Sequence, residues 1–151
     1  MTVTLGVEER EVALAEIGAV RAGVQAEEYR DVLDDAAAAV ESGSVESDRL
    51  AGELDRILGL GLQTGRIRAL YGPGGEQAAL RAYRKLPSGK EVAASARAVN
   101  EALAALGGRS LDQISIAAVG PAAFTLSLVA GGAELSIRLD RQGARLASVG
   151  V

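Results

Sequence analysis

Apolar residues fall at every second position through the last third of the chain: Ile114 and Ile116, then Phe124, Leu126 and Leu128, then Leu135, Ile137 and Leu139. Successive side chains of a strand point to opposite faces, so this pattern predicts strands that share one apolar face. Ser115, Thr125, Ser127, Glu134, Ser136 and Arg138 stand on the other face. The breaks between the runs agree with hairpins. Gly131-Gly132 suits a two-residue primed turn, Asp140-Arg141-Gln142-Gly143 suits a type I turn closed by a glycine bulge, and Gly120-Pro121 interrupts the first pair. The prediction is a four-stranded antiparallel meander over residues 111–151. Its last strand, from Ala144 onward, places Leu146 on one face and Val149 and Val151 on the other, with no lysine or proline to blunt its edge.

Before residue 110 the spacing changes to that of helices. Ala13, Leu14, Ile17, Val20 and Val24 lie on one stripe, as do Tyr29, Val32, Leu33, Ala36 and Val40, followed by Gly43 as a helix stop. A third helix begins at Ser44 or Ser47 and carries Leu50, Leu54, Ile57 and Leu58. Residues 63–75 are the least regular, and a short helix follows over residues 76–86. Ser88 with Glu91 three residues later reads as a capping box, and behind it Val92, Ala96, Val99, Leu103 and Leu106 repeat at spacings of four and three. That helix is the candidate for the one lying on the sheet. The expectation is a single α+β domain, with four or five helices in residues 1–110 packed on the meander; residues 2–5 read equally as a strand or an arm.

Composition narrows the chemistry. With no cysteine and no histidine, thiolate chemistry, disulfides and the commonest metal ligand are all missing, so no metal or cofactor is expected. One Phe, three Tyr and no Trp leave little with which to stack nucleobases. The N-terminus has neither a basic stretch nor an apolar one, which makes a cytoplasmic protein the expectation. Of the 16 basic residues all but Lys85 and Lys90 are Arg, pointing to a GC-rich bacterial genome.

Charge is distributed unevenly. Residues 1–55 carry 14 acids and 4 bases, residues 56–90 carry 1 acid and 7 bases, and the remainder is balanced. A basic segment between acidic and neutral regions suits contact with an acidic surface, within the chain or on a second copy. It suits nucleic acid less, because the whole chain at −4 repels a polyanion.

Three stretches bear candidate chemistry. In residues 66–77, glycines run into a helix start beside two arginines, an arrangement in which backbone N–H groups and guanidiniums face a phosphate or carboxylate. Arg66, Arg68, Tyr71, Gly74 and Gly75 are its candidate ligand residues; a turn with solvated arginines is the competing reading. Glu27, Asp31 and Asp35 repeat at every fourth residue, either as oxygen ligands or as a solvated helix face. Ser88 or Ser95 with Lys85 or Lys90 is a conceivable nucleophile and base without any motif behind it. The preferred expectation is a non-catalytic interaction or assembly protein that associates with itself, Leu146, Val149 and Val151 lying at the contact. A small-anion binder using residues 66–77 comes second, and a nucleic-acid module third.

Overall fold

A computed structural model describes residues 1–150 of the chain. The elements run β1 (Val3–Thr4), α1 (Val7–Gly23), α2 (Glu27–Ser42), β2 (Ser44–Val45), α3 (Asp48–Gln63), α4 (Arg66–Arg84), α5 (Pro87–Ala104), β3 (Leu111–Gly120), β4 (Ala123–Ala130), β5 (Ala133–Asp140) and β6 (Gly143–Gly150). Five helices precede a four-stranded antiparallel sheet of order β3-β4-β5-β6, an α+β fold. No helix among the described residues is long and apolar enough to cross a membrane. The chain gathers into two compact units, Met1–Lys90 and Glu91–Val151, the division falling inside α5.

The first unit has a core of small and branched residues. Ala13 and Ile17 of α1, Leu33, Ala36 and Val40 of α2, Leu54 and Leu58 of α3, and Ile67, Ala79 and Ala82 of α4 are all buried. Many are alanine, which lets the helices approach closely. The stripes expected on α1 to α3 face this core, and Ser47 caps α3 by accepting the Leu50 N–H. Of the two readings of residues 2–5, the strand is the one observed: residues 3–4 pair antiparallel with residues 44–45 as a two-stranded sheet, a partner that went unforeseen. The irregular stretch after residue 65 is helical, interrupted at Gly72, where φ is 71° and ψ is −175°. Pro73 then opens the second helical stretch, where a missing N–H costs nothing.

Ser88 is not the cap of α5. The helix begins one residue earlier, at Pro87, and Asp55 of α3 receives both the Ser88 N–H at 3.0 Å and its hydroxyl at 2.6 Å. A carboxylate from another helix therefore does the capping that the sequence assigned to the serine itself.

In the second unit, Val99, Ala102 and Leu103 of α5 and Leu106 just past its end pack on Leu126, Leu128, Leu135, Ile137, Leu139 and Ala144. The Ser95 hydroxyl ties the same helix to the Ala144 carbonyl at 2.6 Å. The expected alternation holds on β3 to β5, where Ile114 faces Leu128, Ile116 faces Leu126, and Leu126 faces Ile137. Gly131 and Gly132 take φ of 57° and 85°, the two positive values that the β4–β5 turn requires. At the next hairpin Asp140 accepts the Gln142 N–H and meets Arg138 and Arg145; the Gln142 N–H first, and then the two guanidiniums, hold its carboxyl below the usual range.

The reading of β6 needs correction. Ser136 pairs with Ser148 but Ile137 pairs with Leu146, leaving Ala147 as an extra residue in the strand. This bulge resets the alternation. Leu146 and Val149 therefore share the apolar face, opposite Ile137 and Leu135, instead of lying on opposite faces. Val151 lies outside the described residues.

Ile137 is 2% exposed beneath α5. Its replacement by Ala is expected to destabilise the protein by about 2–5 kcal/mol in urea unfolding, whereas Ser127→Ala on the polar face changes stability by under about 0.5 kcal/mol. Equal effects would show the faces to be misassigned.

Candidate functional site

The glycine-arginine stretch becomes the broken helix α4. Arg66 places Nη1 3.5 Å from Glu16 Oε2, and Arg68 places Nη1 3.6 Å from Glu76 Oε1. The Tyr71 hydroxyl donates to Glu16 Oε1 at 2.8 Å. Glu16, in the middle of α1, is 1% exposed, and its Oε2 makes no hydrogen bond among the described residues. A buried carboxylate needs compensating donors and charge, and Tyr71 and Arg66 supply them. Burial, and then the carboxylate it faces, raise the Tyr71 phenol above its ordinary value, so it stays a donor at neutral pH.

Tyr71, Gly74 and Gly75 line a cavity of about 410 Å³ together with Glu8, Glu11, Val12, Ala15 and Ala78. Gly75 is required there because a Cβ would come within 2.3 Å of the Tyr71 Cβ. The structure thus joins three of the five candidate residues in one cavity and turns Arg66 and Arg68 to carboxylates elsewhere. The charged residues of the cavity wall are Glu8 and Glu11, a setting that opposes an anion.

The basic segment pairs largely within its own unit. Arg56 meets Glu53 at 2.5 Å, Arg81 meets Glu8 at 2.7 Å, and Lys85 meets Glu9 at 2.8 Å, besides the pairs of Arg66 and Arg68. Glu9 also accepts the Gly6 N–H at the start of α1, so one buried carboxylate closes both a helix end and an ion pair. The charge asymmetry of the sequence is thereby mostly spent inside the chain. Glu27, Asp31 and Asp35 lie exposed along α2. Ser88 is bonded to Asp55, Ser95 to a carbonyl, and Lys85 to Glu9, so no serine–lysine pair is assembled.

What the sequence did not reveal is how little of the sheet is covered. The cluster under α5 draws on β4, β5 and the start of β6, and contains no residue of β3. On the same apolar face Ile114 is 60% exposed, Ile116 61% and Phe124 42%. β3 is also an edge strand, paired only with β4, and residues 113–120 carry no charge. The β6 edge, expected to be the open one, carries Arg145 and the bulge at Ala147, both devices that discourage strand addition. Alternation reports which residues share a face but not whether anything lies on it, so periodicity carried no sign of the bare strand.

No protein family, no curated protein and no solved structure matches the chain.

Removing the phenol in Tyr71→Phe strips Glu16 of its one hydrogen bond and is expected to destabilise by about 1–3 kcal/mol. Gly74→Ala, where a Cβ meets nothing within 4 Å, is expected to be neutral or stabilising. An unchanged urea midpoint for Tyr71→Phe would contradict the Tyr71–Glu16 pairing.

Proposed function

We propose that the chain is a non-catalytic interaction module that associates with itself through β3. The observation that carries this reading is the exposure of Ile114 and Ile116 on a sheet face where Leu128 of β4 and Leu135 and Ile137 of β5 are buried under α5. Bare apolar surface of this kind, beside an edge strand with free backbone groups, favours addition of another strand.

A second copy of β3 fits that edge. Two β3 strands related by a two-fold axis perpendicular to the sheet pair antiparallel and keep like faces on the same side. Pairing centred on Ser115 sets Ile114 of each copy opposite Ile116 of the other, cross-strand contacts of the sort that stabilise sheets. No like charges oppose one another along residues 113–120. The product is an eight-stranded sheet with the apolar strips of both copies side by side. Because the ionic pairs of the first unit close within the chain, association rests on apolar contact and backbone hydrogen bonds, and salt has little effect on it.

Size-exclusion chromatography with light scattering at about 100 μM, a concentration suited to a small interface, is expected to give a dimer that persists in about 1 M salt. Ile116→Lys is expected to give a monomer with an unchanged circular-dichroism spectrum, since that side chain is largely exposed. A wild-type monomer at every concentration, or a dimer indifferent to Ile116→Lys, would refute the proposal.

A further inference from the structure

Of the seven basic side chains in residues 56–90, five meet a carboxylate. The other two are Arg84, which has no carboxylate partner among the described residues, and Lys90, whose Nζ lies 3.5 Å from the Met1 sulfur. Both line a single open cleft of about 610 Å³, and Lys85 is the third base in its wall. Residues 2–6, whose backbone includes β1, complete its lining.

That backbone is itself polarised toward the cleft. On one edge of β1 the chain faces β2, where the Leu5 N–H donates to the Gly43 carbonyl at 3.0 Å. The Thr4 carbonyl points to the other edge and accepts Lys85 Nζ at 3.0 Å. In an extended strand the N–H and C=O of one residue point the same way, so the Thr4 N–H also faces the bases. The start of α5 is not counted as a donor, because Asp55 already takes the Ser88 N–H.

From these placements we infer that the cleft is a binding site for a small polyanion, a diphosphate or triphosphate group held by Arg84, Lys85 and Lys90. No lining residue is acidic. Arg84 offers a planar fork for one phosphate and Lys90 a point charge for the next, while Lys85, shared with Glu9, neutralises the remainder. No lining residue is aromatic either, so nothing stacks on a base or a ring. Recognition rests on the phosphates alone, and inorganic pyrophosphate and a nucleoside diphosphate bind alike. The site is separate from the β3 contact, and neither depends on the other.

Isothermal titration of the full chain with inorganic pyrophosphate, in about 20 mM salt so that screening is weak, tests this directly. One saturable site is expected, with ADP binding within about threefold of pyrophosphate because both present the same diphosphate. The double variant Arg84→Ala/Lys90→Ala is expected to weaken binding by at least about tenfold. Arg68→Ala, whose guanidinium faces Glu76 outside the cleft, is expected to leave it unchanged. Thermal melts of both variants confirm that these exposed substitutions leave the fold intact. Absence of saturable binding at millimolar pyrophosphate, an undiminished affinity in the double variant, or ADP binding without pyrophosphate binding would each overturn the assignment.

Discussion

A helix is about 10 Å across and neighbouring strands lie about 4.8 Å apart, so one helix laid on a four-stranded sheet covers roughly half of its face. The second unit lives under this constraint. α5 and the turn after it present Val99, Leu103 and Leu106 to the middle of the sheet, and the residues beneath are the buried ones: Leu128, Leu135 and Ile137. Ile114 and Ile116 have the same chemistry and lie on the same face, yet remain exposed, outside the cluster that α5 covers. An unpaired edge and a bare strip therefore coincide on β3; β6, the other edge, also exposes Leu146 and Val149 but carries Arg145 and a bulge, and self-pairing of β3 is the reading that satisfies its edge and brings the strips together.

The first unit solves a different problem, which is how to bury carboxylates in a core made largely of alanine and leucine. Glu9, Glu16 and Asp55 are all buried. Each is met by donors from a distant element: Lys85 for Glu9, besides the local Gly6 N–H, Tyr71 and Arg66 for Glu16, Ser88 for Asp55. Removing these partners takes compensation from a buried carboxylate, so the contacts fix which helix faces meet as much as they add stability. They also draw most of the basic segment inward, and what they leave over, Arg84 and Lys90, converges on a single cleft.

Much of this was legible from residue patterns, and the exceptions have physical causes. Period-two alternation and Gly131-Gly132 located β3 to β5 because register and turn chemistry are local. The spacing of Val99, Leu103 and Leu106 identified the covering helix for the same reason. The face of Val149 was not legible, since a bulge at Ala147 leaves no mark in an alternation that ends two residues later. Ser88 looked like a cap because its own spacing to Glu91 was right, but the actual cap, Asp55, lies 33 residues away. Arg66 and Arg68 looked like ligand residues for a similar reason: their carboxylates, Glu16 and Glu76, become neighbours only when α1 and α4 pack and when α4 bends at Gly72. Long-range partnership decides whether a charged residue is free, and a single sequence does not display it.

Amide hydrogen exchange followed against protein concentration tests pairing at the β3 edge at the level of the strand. Amides of residues 113–119 that point away from β4 have no partner in one copy and gain one in a pair. Their exchange is expected to slow as concentration rises from about 1 to 100 μM, while amides buried between β4 and β5 stay unchanged. Exchange along β3 that is fast and independent of concentration over that range would contradict the account.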